Sequence, residues 1–353
     1  MPISHEPRIN SSQLQRLVRA IFQRCGMTES HAMLLADSLV FADRRGVHSH
    51  GTMRVPEYVQ KLTMGGVNPL GEPHTVQDNG ICLVVDGGNS MGQIGAHYAM
   101  EQAIARARES GMAAAAVRGS NHCGSLAYFA IQAPPEGMIG IATTNALPTM
   151  APWGGAEPIL GINPVAIAIP ALNELPIVYD AAFSASSHGK IRIYQQRGDA
   201  LPEGWALDRD GQPTTDPAAA ILGLLMPIGG FKGTALATIM GILSSLLSGA
   251  SFGTELGNMT DGPRPGQDGH FVLALRISAF VDLDVFRSRV DRIIQEIHAC
   301  RRAPGVAQIF APGEPEYLSE IANERDGIPL TAATLDGLRR TAAELDLVTD
   351  ALS

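Results

Sequence analysis

The sequence predicts an α/β protein with a central sheet, outside the Rossmann class, and with a helical lobe at its N-terminal end. Three observations predict it. Apolar residues repeat at helical spacing through the first 65 residues, and from about residue 80 short apolar runs alternate with helical stretches. No G-x-G-x-x-G follows any of those runs, so the usual dinucleotide fingerprint is absent.

The elements follow in order. Ser12 and Gln15 make a capping-box pattern, and Leu14, Leu17, Val18 and Ile21 then repeat on one helical face. Thr28 opens a second helix that runs out near Arg45 and Gly46. A third extends from about Met53 to Leu62, with Pro56 early enough for a first turn. Residues 81–85 read as a strand that stops at Asp86-Gly87-Gly88-Asn89, and Ala99, Met100, Ala103, Ile104 and Ala107 mark a helix of small residues. Residues 112–117, 138–143, 165–169, 177–179 and 271–275 read as further strands. Residues 234–247 form a nearly all-apolar helix, which predicts burial on every side. Val285, Phe286, Val290, Ile293, Ile294 and Ile297 give an amphipathic helix, and a last helix carries Leu335, Leu338, Ala342 and Leu345.

A chain of 353 residues, 45% hydrophobic, is long enough for a large core divided among two or three lobes. Its 38 Gly and 23 Pro fit many tight turns. A net charge of -9 argues against nucleic acid or a membrane surface as partner. It also means that an anionic ligand needs a local cation. The cysteines, Cys25, Cys82, Cys123 and Cys300, form no C-x-x-C pair, which points to a reducing cytoplasm rather than a disulfide framework or zinc knuckle. The polar N-terminus, residues 1–6, reads as lacking a signal peptide, and no apolar stretch is long enough to span a bilayer.

Four constellations carry chemistry. In Ser49-His50-Gly51-Thr52-Met53-Arg54-Val55-Pro56-Glu57-Tyr58, the residues His50, Arg54 and Tyr58 are four apart. On a helix beginning near His50 they would share a face bearing an imidazole, a fixed cation and a phenol. Arg can clamp a carboxylate bidentately, His can exchange a proton near neutral pH, and Ser49 can orient that His. A plain polar surface helix reads the same spacing, and His48-x-His50 also admits a metal-hydrolase reading with His122 as a further ligand.

The second constellation is Ser120-Asn121-His122-Cys123-Gly124-Ser125-Leu126, a loop leaving a strand and opening a helix, where backbone N–H groups can meet an anion. A His122–Cys123 dyad is disfavoured because adjacent side chains seldom converge. The third is Gly229-Gly230-Phe231-Lys232-Gly233-Thr234, a glycine-rich helix entry with a lysine that lacks the P-loop order and so excludes an NTPase. The fourth runs from Asp180 through Ala181 and Ala182 to His188 and Lys190; Asp180 suits a ribose hydroxyl or a simple turn cap.

Together these stretches resemble the malate/L-lactate dehydrogenase family of the type-2 kind. The matching segments are residues 46–58 (GVHSHGTMRVPEY), 120–126 (SNHCGSL), 150–155 (MAPWGG), 160–164 (LGINP), 213–217 (PTTDP), 229–233 (GGFKG) and 303–313 (APGVAQIFAPG), in the family's order over most of the chain. The resemblance implies a non-Rossmann dinucleotide-binding α/β fold of the L-sulfolactate dehydrogenase-like type, with a helical lobe from the N- and C-terminal segments. It implies residues 1–75 as an N-terminal lobe with the substrate-side motif, 76–120 as an α/β core segment, 121–280 as the dinucleotide-binding domain, and 281–353 as a helical segment packing back on the N-terminal lobe. It implies an NAD- or NADP-dependent enzyme moving hydride to or from C2 of a small 2-hydroxy or 2-oxo acid, with a cyclic imino-acid reductase as the alternative. The implied assembly is a homodimer.

By the same resemblance Ser49 and His50 form a proton relay and His122 lies at the reacting centre. Arg54, with Tyr58 and His188, contacts the substrate. Cofactor contacts fall on His122, Cys123, Gly124, Ser125 and Leu126, on Ala146, and on Asp180, Ala181 and Ala182. They also fall on Lys232, Gly233, Pro312, Gly313 and Glu314. This sequence departs from the family at Ile162, where a Thr is usual, at Lys190, where imine reductases carry an Asp, and at Ala146, where ureidoglycolate dehydrogenases carry a Ser. Glu314 and Glu316 would repel a 2′-phosphate, which tilts the expectation to NAD.

Overall fold

The computed structural model describes residues 6–348, so residues 1–5 of the signal-peptide reading lie outside the described residues. Among the described residues, no helix is long and apolar enough to cross a membrane.

The N-terminal lobe holds α1 (Ser11–Arg24), α2 (Glu29–Arg44) and α3 (Val55–Thr63). The cap of α1 is Asn10, whose side chain accepts from the N–H groups of Ser12 and Gln13, so the expected Ser12 capping box does not form. Asn10 wins because its carboxamide already satisfies two of the orphan donors of the first turn. Thr28 caps α2 as expected. Leu14, Val18, Ile21, Phe22, Leu35, Leu39 and Tyr58 pack into one core with Leu335 and Leu338 of the C-terminal segment.

The main sheet is built from β1 (His74–Asp78), β2 (Cys82–Asp86), β3 (Met112–Ser120), β4 (Met138–Thr144), β5 (Val165–Ile169), β6 (Ile177–Ala181) and β7 (Asp268–Arg276). Their spatial order is β1-β2-β3-β7-β4-β5-β6. Only β2 and β3 pair in parallel, and β7 lies antiparallel between β3 and β4, with Phe271 opposite both Ala116 and Thr143. A sheet that is mostly antiparallel has no Rossmann crossover, which is why no glycine fingerprint was needed. The sheet takes strands from both sides of the residue 120/121 division, which therefore does not separate two layers. The strand β1 carries an exposed, weakly alternating sequence and was not legible beforehand.

The helix α4 (Gly92–Ser110) and the short α5 (Ala127–Ala130) cover one sheet face through Ala96, Ala99, Ala103, Phe129 and Ala130. The small residues let α4 approach β3 closely; a Cβ on Gly92 would sit 1.9 Å from the carbonyl oxygen of Asn121. A second, five-stranded sheet pairs Pro148–Met150 with Leu160–Gly161 and with Leu224–Leu225, and carries α6 (His188–Arg197) and α7 (Pro217–Leu222).

The apolar helix α8 (Phe231–Ser245) lies on the opposite face of the main sheet, where Ser244 Oγ donates to Thr143 Oγ1. Its expected burial on every side does not hold. Ala237 and Gly241 face inward, whereas Phe231, Leu236, Ile239 and Ile242 are exposed. One helix flank meets the sheet, and among the described residues nothing covers the other.

The remaining helices are α9 (Leu283–Ala299), α10 (Glu314–Asp326) and α11 (Ala332–Glu344). The helix α9 docks Val290 and Ile294 on Ala171 and Ala311, away from the N-terminal lobe. By contrast α10 returns to α2 through Arg44–Glu324 and Arg45–Glu320 ion pairs, and α11 packs on α3. Lys61, fully buried on α3, donates to the carbonyls of Asn258 and Arg264 and to Asp261, which ties the lobe to the loop before β7.

Candidate active site

The segment between α2 and α3 is not one helix. It is two short 3-10 turns, His48–His50 and Thr52–Arg54, joined by an extended Gly51. The expected single face carrying His50, Arg54 and Tyr58 is thus broken, and the cause is Asp43. This carboxylate is buried at the end of α2, where Oδ2 accepts from Thr52 N (2.7 Å) and Oδ1 lies 2.8 Å from His48 Nδ1. Gly51 is needed for this approach, because a Cβ there would sit 2.1 Å from Asp43 Oδ1. The hydrogen bond to Asp43 raises the pKa of His48. His48 is therefore tied to the scaffold, and among the described residues no group of three or more His, Cys, Asp or Glu side chains is placed to hold a metal ion.

The break turns the three side chains to different tasks. Ser49 Oγ lies 3.0 Å from His50 Nδ1. Arg54 Nε donates to the Ser49 carbonyl (2.7 Å), and its Nη1 pairs with Glu57 (2.8 Å), so the guanidinium braces the turn that carries His50. Tyr58 points into the core, and its hydroxyl lies 2.6 Å from His122 Nδ1. The structure thus places Tyr58 behind His122, where it is not open to a substrate. Gln93, on α4, donates to the same phenol oxygen at 3.2 Å.

His122 sits in the loop after β3, whose path is fixed by Asn121. That buried carboxamide donates to the Ser90 carbonyl and accepts from Gly266 N. The His122 ring stacks on that of His50, with centroids 5.8 Å apart and planes 11° from parallel. Burial lowers the pKa of both, with the Arg54 cation adding to it; His50 falls to about 4. Both imidazoles are accordingly neutral near pH 7.

A cleft of about 350 Å³ opens beside His50. Ser49 and His50 line it from the N-terminal lobe, and Gly124, Ser125 and Leu126 line it from the loop after β3. Asp180, Ala181 and Ala182 contribute the end of β6, and Pro312 and Gly313 the loop before α10. Asp180 is open to the cleft on one side, yet its Oδ2 accepts from Ser125 Oγ and Ala127 N, both at 2.8 Å. The surrounding protein raises its pKa against those two bonds.

Several expected contacts fall elsewhere. Cys123 is buried behind the loop, and burial pushes its thiol pKa up, so it is no nucleophile. Glu314 turns away to accept from Ala311 N and to pair with His298, and Glu316 lines the cleft instead. Ala146 is held by Asn163 through its N–H, Lys232 is exposed on the first turn of α8 with Gly233 packed beneath, and His188 opens α6; none of them lines the cleft of a single chain, and Arg54 and His122 stand next to it without lining it. Lys190 lies over the Trp205 ring at 4.8 Å.

Sequence reasoning missed Asp43, Gln93, Tyr179 and Arg45. The last three gave no motif signal. Asp43 gave a faint one, an acid directly after the apolar run of α2 and five residues before His48. Arg45 is the one Lys or Arg among the described cleft-lining residues. It is already occupied, paired with Glu320 at 2.8 Å and held between Phe41 and Tyr317. Ile162, the family departure, lines the cleft.

A cleft at the edge of a non-Rossmann sheet with an imidazole in its wall suits an oxidoreductase, and the relatives of this chain are dehydrogenases and reductases. The chain belongs to the malate/L-lactate dehydrogenase family, whose profile matches residues 9–339. It is 34% identical over 343 residues to a malate dehydrogenase of Pyrococcus horikoshii, covering 95% of this chain and 94% of that one. It is 33% identical over 334 residues to a Delta(1)-pyrroline-2-carboxylate/Delta(1)-piperideine-2-carboxylate reductase of Pseudomonas putida, covering 94% and 96%. The fold matches the sulfolactate dehydrogenase of Methanocaldococcus jannaschii with a TM-score of 0.92 at 34% identity, covering 97% of this chain and 98% of that one.

Proposed function

We propose that this enzyme exchanges hydride between a nicotinamide cofactor and C2 of a small 2-hydroxy or 2-oxo acid. The observation that carries the reading is His50, which lines a cleft whose walls end in Asp180 and stacks on the neighbouring His122. When bound, the nicotinamide supplies or accepts the hydride at its C4. The residues present fit such a group: Asp180 offers a carboxylate oxygen to ribose hydroxyls, and Gly124 and Ala181 leave room along the wall.

The chain's own residues do the rest. Arg54 holds the substrate carboxylate, exchanging its bond to Glu57 for a charge-assisted pair with the ligand. His50, oriented by Ser49, gives or takes the proton at the substrate oxygen as the carbonyl and hydroxyl forms interconvert. Ile162 makes the cleft less polar than a Thr would. Lys190 on Trp205 gives no support to an imine-reductase relay.

NAD is the preferred cofactor in this reading. Arg45, already neutralised by Glu320, has no free charge for a 2′-phosphate, and Glu316 would repel one. The exposed apolar flank of α8 supports a homodimer, and four free cysteines support a cytoplasmic setting.

The test is oxidation of NADH and NADPH against pyruvate, oxaloacetate, 2-oxoglutarate, sulfopyruvate and two cyclic imino acids, with NAD reduction on ureidoglycolate. Turnover of a 2-oxo or 2-hydroxy acid faster with NADH than NADPH is expected. Turnover confined to the imino acids would replace the substrate class, and a preference for NADPH would overturn the cofactor assignment.

A further inference from the structure

His50 lines the cleft and His122 stacks against it from just outside the lining, and the reading above needs only one proton carrier. The hydrogen bonds behind His122 separate the two jobs. His122 Nδ1 meets two donors at once. The phenol of Tyr58 lies 2.6 Å away, and the backbone N–H of Gly124 points at the same nitrogen from 3.3 Å. The phenol oxygen already accepts from Gln93 Nε2 at 3.2 Å, which leaves its hydrogen for His122.

One rearrangement would reverse this chain. If the Gln93 carboxamide turned over, its oxygen would accept from Tyr58, and Tyr58 could then accept from a protonated Nδ1. Gly124 decides against it. A backbone N–H cannot be turned into an acceptor, and it would be left opposing an Nδ1–H. Turning the imidazole over instead would put a C–H against both donors and leave two buried polar groups unpaired. Gly124 takes φ +76, the left-handed region, and a Cβ there would sit 3.1 Å from Gln93 Nε2, so a glycine holds both the N–H and the amide in place.

We propose that Tyr58 and the Gly124 N–H lock His122 as the neutral Nε2–H tautomer, making it a fixed hydrogen-bond donor to the substrate oxygen, while His50 alone exchanges the proton. Tyr58 is then a positioning residue and His122 an electrophile. This rests on the dehydrogenase reading above. Burial keeps the phenol protonated, as a donor must be. His122 Nε2 bonds to no described residue and is not sealed from solvent, so it is free to meet a ligand. In reduction, hydride reaching C2 moves the C=O electron pair to oxygen, where the His122 N–H holds it; His50, neutral at rest, first takes a proton from solvent through the cleft and then passes it to that oxygen, which completes the hydroxyl and restores the neutral ring. In oxidation the hydroxyl proton passes to His50, and the N–H stabilises the charge that develops on oxygen.

Nitrogen NMR of protein labelled in its histidines tests the lock without any turnover. The His122 signals are assigned by their loss in His122→Gln. At pH 7 the Nδ1 resonance is expected in the unprotonated range and Nε2 in the protonated range. A protonated Nδ1 would overturn the proposal while leaving the dehydrogenase assignment intact. An enzyme silent on every acid, with the tautomer as expected, would sink the assignment instead.

Kinetics gives the second arm. A glutamine amide can donate where Nε2–H does but cannot carry a proton. His122→Gln should therefore keep kcat within about tenfold of wild type and retain the shape of its pH–rate profile, whereas His122→Ala should lose about 10²–10³ in kcat, as for a removed oxyanion donor. Equal loss in both variants, with the profile flattened in His122→Gln, would make His122 the acid–base group and refute the assignment. Tyr58→Phe should lower kcat by about 10- to 100-fold with KM little changed, and should shift the Nδ1 resonance; an unmoved resonance would show that Tyr58 does not set the tautomer.

Discussion

The imidazoles of His50 and His122 stack with centroids 5.8 Å apart and planes 11° from parallel, although 71 residues lie between them in sequence. Each is placed by a different part of the fold. His50 depends on the turn that Arg54 braces, and His122 on the loop that Asn121 anchors.

Removing the brace should cost transition-state binding. Arg54→Ala loses both the proposed carboxylate clamp and the bond to the Ser49 carbonyl. We expect kcat/KM to fall by roughly 2–4 kcal/mol, about 30- to 1000-fold, because a charge-assisted pair is lost. Arg54→Lys should recover only part, since an ammonium cannot make two parallel bonds. Steady-state kinetics on the accepted acid decides it, and an unchanged kcat/KM in Arg54→Ala would remove Arg54 from the mechanism.

Gly51 is a steric requirement. Its φ of -94° is open to any residue, so the obstacle is space alone, the Cβ falling 2.1 Å from Asp43 Oδ1. Gly51→Ala should force the carboxylate off Thr52 N and His48 and destabilise the fold by about 2 kcal/mol or more. Gly189→Ala, whose nearest neighbour would be Ser187 Oγ at 3.9 Å, should leave stability unchanged or slightly raised. Urea titration of both variants reads the contrast, and equal midpoints would refute it.

Stability should fall on acidification. Burial holds His270 at about 4, where Nε2 meets Ser120 Oγ and Nδ1 meets Thr144 Oγ1, both at 2.8 Å. Burial depresses His50, His97, His122 and His188 as well. In the unfolded chain each titrates near 6.5, so below that pH the unfolded state binds more protons and stability is lost as pH drops towards 4. His48 and Asp180, both raised, and Asp268, raised by burial to about 7, act in the opposite sense; their contribution is present at acid pH and fades as pH rises. The depressed histidines outnumber them. Calorimetry should give a lower Tm at pH 5 than at pH 7, and His270→Gln should flatten the difference. A higher Tm at pH 5 would show that the raised groups dominate.

The flank of α8 should be covered by a second copy. Ile239 is 49% exposed in the single chain, and Leu236 and Ile242 lie beside it. Ile239→Glu should reduce the sedimentation mass to that of one chain while circular dichroism stays native. A mass of one chain for the unaltered protein would refute the assembly, and a two-chain mass for both proteins would place the interface elsewhere.

Much of this was legible in the sequence. Strands 165–169 and 138–143 declared themselves through β-branched runs, Thr28 through its cap, and the motif order along the chain through residue identity. These signals are local, carried by residues a few positions apart, and local sterics and capping chemistry read them directly. What the sequence by itself determined was therefore the element list, the non-Rossmann class and the candidate chemistry of Ser49, His50, Arg54 and His122.

Only the tertiary structure decided what those groups touch. Asp43 breaks the helix that spacing predicted, Tyr58 turns inward to His122, Glu314 gives way to Glu316, and α8 keeps one apolar flank bare. Each outcome depends on a contact between segments far apart in the chain. A hydrogen bond or a packed face is chosen by which distant partner arrives, and periodicity carries no information about that partner.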